Sequence, residues 1–133
     1  MLRQRVGIDV VPLERVKRSV EASPERYMAR FLTPSESEYC QGPRLIQRLA
    51  GRIAAKEAVM KLLGDGWPRV AWTDIEILTS GKRPEVFLSG KALALARSQG
   101  MENGSLDVSI THDGGVAIAV AVALFAEDLR EEG

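Results

Sequence analysis

The first third of the chain has the residue pattern of one strand followed by three short helices. Residues 5–12 read as a strand, and residues 13–22 have the apolar spacing of an amphipathic helix. Two further helices are predicted to begin at Pro24 and Pro34, because proline favours the first helical position and each follows a hydroxyl residue. Glu36 stands at the third position of the last of these helices, where its carboxylate completes a capping box.

The longest predicted helix runs from about Arg44 to Leu63, between a Gly-Pro break and a Gly-Asp-Gly stop. Projected at 100° per residue, one side is an apolar arc of Leu45, Ile46, Leu49, Ile53, Met60 and Leu63. The other side carries the small residues Gly51, Ala54, Ala55 and Ala58, which let another backbone come close. A helix that is apolar or small nearly all round is predicted to be buried.

The last half of the chain supplies the strands of a sheet. The predicted elements are strands over 72–79 and 85–88, a helix over 89–99, and strands over 105–112 and 116–125. The last two flank Asp113-Gly114-Gly115, a typical hairpin turn. We therefore expect residues 1–133 to form a single α+β domain, with one long buried helix on a small, mainly antiparallel sheet and a solvated acidic tail from about residue 127.

Composition narrows the class of protein. The chain has 133 residues, of which 45% are hydrophobic and 27% charged, as in ordinary folded proteins. The single cysteine, Cys40, excludes an internal disulfide and a cysteine-based zinc cluster. No apolar run is long enough to cross a bilayer, and the N-terminal residues do not resemble a signal peptide, so a cytoplasmic protein without membrane contact is expected.

The balanced net charge hides an asymmetry between the two halves. Residues 1–63 hold 12 Lys and Arg against 7 Asp and Glu, a net charge of +5, which leaves −5 for the remainder. A basic half favours an anionic partner. Because the whole chain is neutral, an acidic protein or a phosphorylated small molecule fits better than a nucleic acid.

Charged residues in the middle of the long helix are the first candidates for chemistry. They are Arg52, Lys56, Glu57 and Lys61. One interpretation is an ordinary i,i+4 ion pair between Glu57 and Lys61, worth about 0.2–0.5 kcal/mol. In a buried helix, however, charges need a site, a metal or a bound anion to offset their desolvation, so we favour a functional role.

Asp9 and Glu57 together indicate a metal site. Aspartate is disfavoured in strands, and alone Asp9 is equally compatible with capping a neighbouring turn. Paired with Glu57, it supplies the second of two carboxylates that can hold Mg²⁺ together with phosphate oxygens and water. Lys61, one helical turn beyond Glu57, would reach the same phosphates.

His112 is the only histidine, just before the predicted hairpin turn. A structural role is the simplest interpretation, but Ser109, Thr111 and His112 are expected to form a polar cluster suited to a phosphate or ribose. A nucleophilic pair of Cys40 with His112 has no further support. Neither a GxGxxG nor a Walker A pattern is present, so any nucleotide is bound in another way.

Four segments together resemble the holo-acyl-carrier-protein synthases, the short, trimeric class of 4′-phosphopantetheinyl transferases. They occur in the order and spacing of that family and span nearly the whole chain. They are Gly7-Ile8-Asp9-Val10-Val11 through Arg15; Arg30-Phe31-Leu32-Thr33 with Ser35-Glu36; Leu49-Ala50-Gly51-Arg52 with Ala54-Ala55-Lys56-Glu57-Ala58 and Lys61; and Val108-Ser109-Ile110-Thr111-His112. The resemblance implies the 4′-phosphopantetheinyl transferase fold.

The resemblance also implies Mg²⁺-dependent transfer of 4′-phosphopantetheine from coenzyme A to a serine of apo acyl carrier protein, releasing adenosine 3′,5′-bisphosphate. Asp9 and Glu57 match the family's Mg²⁺ ligands, and Lys61 matches its pyrophosphate lysine; these three are the expected catalytic residues. The expected coenzyme A contacts are Arg52, Lys56, Lys61, Lys82, Ser109, Thr111 and His112. The expected carrier contacts are Arg15, Arg18, Arg26 and Arg30. The role of Lys82 and the choice between Glu57 and an ordered water as general base stay open, as does the carrier served, from fatty acid or polyketide synthesis.

The resemblance further implies a homotrimer with sites between subunits, in which the carboxylates and His112 serve opposite ends of one coenzyme A. The alanines of the last strand, at 117, 119, 121 and 123, are expected to offer the face for close packing. Two other classes remain open: a non-catalytic coenzyme A or nucleotide-binding module, which needs His112 and Arg52 but not Asp9 with Glu57 and Lys61, and an interaction protein that needs only the arginines.

Overall fold

The computed structural model describes residues 1–127 and confirms the α+β class. Three single 3₁₀ turns, Gly42–Arg44, Trp72–Asp74 and Asn103–Ser105, connect the longer elements. In chain order the longer elements are β1 (Leu2–Pro12), α1 (Leu13–Ala22), α2 (Pro24–Phe31), α3 (Pro34–Tyr39), α4 (Leu45–Leu63), β2 (Ile75–Ser80), β3 (Arg83–Leu88), α5 (Gly90–Ser98), β4 (Leu106–Asp113) and β5 (Val116–Ala126).

The strands form two antiparallel sheets. One has the order β1-β5-β4, and the other is the β2-β3 hairpin. The turn between β4 and β5 consists of Gly114 and Gly115, with φ values of +57° and +82°, which side chains other than that of glycine rarely allow at two successive positions. In the larger sheet, Asp9 lies opposite Ala119, which in turn lies opposite Ile110.

Helix α4 is buried against the larger sheet, with α1, β2 and α5 also packed on it, as its pattern predicts. The contact with β1 is so close that a Cβ atom on Gly7 would lie 2.0 Å from the carbonyl oxygen of Ala58. No side chain fits in that space, so glycine at this position lets the strand and helix backbones touch. This contact brings Asp9, two residues further along β1, beside the C-terminal half of α4.

The larger sheet has one face against α4 and one face open to solvent. The alanines of β5, at 117, 119, 121 and 123, are buried on the α4 face, so the expectation that they pack against another subunit is wrong. Their small side chains instead allow α4 to approach its own sheet. The open face carries exposed apolar side chains, which we call the open apolar face: Val6, Ile8, Val10, Val122 and Leu124.

Other differences from the predicted elements are local. Trp72–Asp74 is a 3₁₀ turn rather than the start of a strand, because a carboxylate oxygen of Asp74 accepts a hydrogen bond from the Ala71 N–H at 3.3 Å and closes the turn. Of the predicted acidic tail, Glu127 donates its N–H to the Met1 carbonyl, while the rest lies outside the described residues. Within residues 1–127, no helix is both long enough and apolar enough to cross a membrane.

Candidate functional site

The structure brings Asp9, Glu57 and Lys61 together at the end of the β1–α4 contact. The ammonium of Lys61 donates to Asp9 Oδ1 at 2.9 Å and to the Ile8 carbonyl at 3.0 Å. Lys61 is exposed over 58% of its side chain, whereas the Asp9 side chain is only 10% exposed. The other oxygen, Asp9 Oδ2, is buried and has no hydrogen-bond partner within residues 1–127. An ionised carboxylate oxygen left in this state favours a cation.

Glu57 is the second carboxylate of the site, and its pKa is raised. Partial burial and the adjacent Asp9 carboxylate raise the pKa of Glu57 from 4.5 to about 7, against smaller opposing effects of Arg15 and Lys61. Two carboxylates that repel each other at the edge of a buried helix are suited to a shared divalent cation. No group of three or more His, Cys, Asp or Glu side chains converges on a metal site anywhere in residues 1–127, so a cation bound here would complete its shell with substrate oxygens and water.

A cavity of about 520 Å³ opens beside these groups. Glu57 and Lys61 lie at it, and Met60, residues 64–66, Trp67 and Trp72 complete the wall. The sequence patterns did not single out the two tryptophans. Trp72 occupies a position that was predicted to belong to a strand, and Trp67 lies in an irregular segment between α4 and the Trp72–Asp74 turn.

The structure places Lys56, predicted to contact the nucleotide, in the protein interior. Its side chain is completely buried and donates to Glu36 Oε1 at 2.6 Å, to the Phe31 carbonyl at 2.5 Å and to the Trp72 carbonyl at 3.1 Å. Glu36 is equally buried and also accepts from the Ile77 N–H. Burial lowers the pKa of Lys56, while the Glu36 carboxylate opposes that shift. Lys56 is therefore a structural residue that ties α4 to the ends of its neighbours.

The second group of expected nucleotide contacts lies towards the N-terminal end of α4. The ring nitrogen Nε2 of His112 is 2.7 Å from the Gln47 carbonyl, and a Cβ atom on Gly51 would lie 3.3 Å from the same nitrogen. A cavity of about 360 Å³ is lined here by Tyr39, Arg44, Gln47, Arg48 and His112. Its arginines were not among the predicted contacts, although their spacing of four residues in the basic half places them on one helix face.

Arg52 lies close to this basic cavity but is itself buried. Its guanidinium stacks on the Tyr39 ring, 4.0 Å from the ring centre, and donates to Thr79 Oγ1 at 2.7 Å. Arg48 stacks on the same ring at 4.3 Å. The Nε of Arg52 is buried with no partner in the described part of the chain. The arginine therefore has a free donor but little exposed surface.

Ser109 and Thr111 do not form a cluster with His112. Successive residues of β4 point to opposite faces, and Ser109 and Thr111 stand with the open apolar face, whereas His112 stands on the α4 face. Ser109 instead lines a cavity of about 410 Å³ together with Lys82 and Arg83. The expected single polar cluster is thus divided between the two faces of the sheet.

The four predicted carrier contacts are all exposed on α1 and α2. Arg18 has its guanidinium 3.6 Å from the Glu14 carboxylate. Arg30 lies over two aromatic rings, 5.1 Å from the centre of Trp67 and 5.3 Å from that of Phe31. Arg15 is close enough to Glu57 to lower the pKa of its carboxyl. The basic surface therefore borders the carboxylate site.

The two groups of candidate residues stand well apart along α4. Gln47, which contacts His112, and Glu57 are ten residues apart, or about 15 Å along a helix axis. One end presents a basic cavity and the other presents carboxylates with Lys61. This arrangement suits an extended ligand with anionic groups at two places, one of which can share a cation.

Comparison with known proteins agrees with this geometry. Residues 5–121 match the family model of the 4′-phosphopantetheinyl transferase superfamily. The chain is 46% identical over 129 residues to the holo-[acyl-carrier-protein] synthase of Moorella thermoacetica, covering 96% of this chain and 97% of the relative. It is 43% identical to that of Geobacter sulfurreducens, covering 87% and 93%.

Solved structures give the same result. The crystal structure of the Helicobacter pylori holo-[acyl-carrier-protein] synthase in complex with coenzyme A superposes with a TM-score of 0.75 and 33% identity, covering 89% of this chain and 98% of that one. The Neisseria meningitidis synthase gives a TM-score of 0.77 and 28% identity, with 90% and 96% covered. The fold, the paired carboxylates and these relatives agree: the chain belongs to the holo-[acyl-carrier-protein] synthase family of the 4′-phosphopantetheinyl transferase superfamily.

Proposed function

We propose that this chain carries out the reaction of its family at the Asp9–Glu57–Lys61 site. Phosphopantetheine passes from coenzyme A to a serine of apo acyl carrier protein, and adenosine 3′,5′-bisphosphate leaves. The observation that carries the proposal is the buried, unpartnered Oδ2 of Asp9 beside the Glu57 carboxyl with its pKa near 7. Buried carboxylate oxygens with a purely structural role nearly always have a hydrogen-bond partner, so an unpartnered one indicates a site for a ligand.

Asp9 and Glu57 are the residues that would hold Mg²⁺. Their hard oxygen donors fit this ion, which commonly takes one or two carboxylates and completes its shell with phosphate oxygens and water. When bound, the ion supplies neutralisation of the pyrophosphate charge. The ammonium of Lys61, now held by Asp9, is exposed enough to turn towards the pyrophosphate and stabilise charge on the leaving group.

The transfer itself requires no covalent enzyme intermediate. The carrier serine oxygen forms a bond to the β-phosphorus while the bond from that phosphorus to the bridging oxygen of the leaving adenosine 3′,5′-bisphosphate breaks. The serine proton passes to the Glu57 carboxylate, either directly or through a water that Glu57 orients.

We extend the proposal to a homotrimer whose sites lie between subunits. In one subunit, Ser109, Thr111 and Lys82 lie on the side of the sheet away from His112. The open apolar face bears Val6, Ile8 and Val10, which alternate along β1 with Asp9 on the α4 face, so a second copy that covers it would pack against the strand that carries this carboxylate. Mixing inactive Glu57→Ala and His112→Ala subunits should then restore activity. Failure despite proven subunit exchange would contradict shared sites.

The basic surface of α1 and α2 would receive the acidic carrier. Charge reversal at Arg15, Arg26 or Arg30 should raise the KM for the carrier and leave the KM for coenzyme A nearly unchanged. The wild-type KM for the carrier should rise with salt above about 0.15 M, where the Debye length is about 8 Å. Reversal of the exposed Lys91 on α5 is the matched control. A carrier KM that ignores both salt and these reversals would contradict docking on this surface.

The direct test is a transfer assay with coenzyme A, Mg²⁺ and an apo carrier, in which the carrier gains phosphopantetheine and the nucleotide is released. Binding of coenzyme A without turnover would favour a non-catalytic binding module. We place the reaction in the cytoplasm, which the buried free thiol of Cys40 supports because reduced cysteines are usual there.

A further inference from the structure

Trp67 lines the cavity at the candidate site but has no role in the proposed transfer reaction. Its side chain is 51% exposed at the rim of the 520 Å³ cavity, although tryptophan is normally well buried. Trp72 lines the same cavity and is only 7% exposed, packed against the Phe31 ring at 4.7 Å between ring centres. Of the two tryptophans, one therefore belongs to the core and the other faces outward.

The contacts of Trp67 link it to the basic surface. The Arg30 guanidinium lies 5.1 Å from the Trp67 ring centre and 5.3 Å from that of Phe31, so this arginine stands between an exposed ring and a buried one. Phe31 in turn contacts Tyr27 at 4.8 Å between ring centres. An aromatic series thus runs from α2 to the cavity rim.

We propose that Trp67 is the apolar centre of the surface that docks the acyl carrier protein. This inference rests on the proposed function, because it takes the carrier as the partner. Protein interfaces concentrate their binding energy in a few aromatic and arginine residues that become desolvated, with charged residues around them. Trp67 and Arg30 form such a pair, and they stand between the exposed arginines of α1 and α2 and the cavity that holds Glu57 and Lys61.

The proposed partner surface is acidic, with an apolar side chain close to the serine that receives the phosphopantetheine. Arg15, Arg26 and Arg30 would pair with the carrier's carboxylates at the rim, and the apolar side chain would cover Trp67. Because Trp67 borders the cavity with the reacting groups, covering it would set the serine at the cavity mouth. The arginines then govern the approach of the carrier, and Trp67 governs how long it stays.

The first test compares Trp67→Ala and Trp67→Phe with the wild type and with Phe87→Ala, an exposed aromatic control on β3. Trp67→Ala should raise the KM for the apo carrier about tenfold or more, a factor equivalent to ~1.4 kcal/mol. The KM for coenzyme A should change less than twofold, and Trp67→Phe should recover part of the loss. The Phe87→Ala control should match the wild type.

Two outcomes would overturn the inference. A rise in the KM for coenzyme A without one for the carrier would assign Trp67 to the donor cavity instead, and unchanged values for both would leave the ring with no docking role. Both outcomes require an active wild type, so they differ from a failure of the proposed function, in which the wild type itself transfers nothing.

A second measurement does not depend on turnover. The chain has two tryptophans, so in a Trp72→Phe variant the emission comes from Trp67 alone. Adding an apo carrier that lacks tryptophan should shift this emission to shorter wavelength, because the ring leaves water. The Arg30→Glu variant should need more carrier for the same shift. No shift at carrier concentrations that saturate transfer would contradict burial of Trp67.

Discussion

Lys56 and Glu57 are neighbours on the same buried helix, yet their surroundings differ in one decisive respect. The ammonium of Lys56 has three oxygen partners and no exposed surface, and its counter-ion Glu36 is equally enclosed. Beside Glu57, by contrast, the Asp9 Oδ2 atom is buried and unpartnered, and the Glu57 pKa is raised. A buried charge whose hydrogen bonds are complete holds the fold together, whereas one that is left incomplete marks a site for a ligand.

The largest expected effect is on the transfer rate, and it should follow from removing the charge of Asp9 or Glu57. Asp9→Asn and Glu57→Gln each delete a charge that would bind the cation, and we expect the rate of transfer to fall at least about a hundredfold, or ~3 kcal/mol of barrier. Initial rates at saturating coenzyme A and carrier measure this. Glu38→Gln, at an exposed position on α3, is the control. Transfer within tenfold of the wild type in either site variant would refute the assignment.

Breaking the buried Lys56–Glu36 ion pair should lower the stability of the fold rather than the transfer rate. Lys56→Met leaves the Glu36 carboxylate buried without its counter-ion, which should lower the free energy of unfolding by about 3–5 kcal/mol. The double variant Lys56→Met/Glu36→Gln removes both charges and should lose clearly less. Urea denaturation measures both values. Equal losses in the single and double variants would show that the two charges do not stabilise each other.

The smallest effect concerns the pH dependence of the metal-free protein. Because the pKa of Glu57 rises from 4.5 to about 7, the folded state binds this proton more tightly than the unfolded chain does. The resulting stability is complete below about pH 4.5 and is lost as the pH rises through 7. Glu57→Gln cannot ionise, so without Mg²⁺ its melting temperature should exceed that of the wild type at pH 8 and approach it at pH 4, below the unfolded pKa of 4.5. If the wild type instead has a higher melting temperature than Glu57→Gln at pH 8, the direction assigned to the Glu57 pKa shift is wrong.

The same contrast explains what the sequence could predict. The course of α4 and the β4–β5 hairpin follow from local signals, namely continuous burial along a helix and a two-glycine turn. The proximity of Asp9 and Glu57 can be expected from the sequence because each breaks the pattern of its own element. Lys56 breaks its pattern in the same way, but its partner Glu36 lies 20 residues away and had already been explained as a helix cap. Local patterning cannot tell a satisfied buried charge from an unsatisfied one.

The sequence is sufficient to separate Ser109 and Thr111 from His112, but it does not reveal the position of Trp67. Strand alternation alone separates Ser109 and Thr111 from His112, so their assignment to one cluster was avoidable. Trp67 lies in a segment without periodicity, and nothing in the sequence brings it to the cavity rim beside Arg30. That contact depends on how α2 packs against the segment after α4, which only the three-dimensional structure supplies.

The central claim is that the two charged sets on α4 have different purposes, one structural and one catalytic. The most direct measurement is the transfer rate per folded molecule of Lys56→Met/Glu36→Gln compared with that of Glu57→Gln, at a temperature where both are folded. We predict that the double variant keeps a rate within about threefold of the wild type, while Glu57→Gln falls at least about a hundredfold. A folded double variant as inactive as Glu57→Gln would contradict the account.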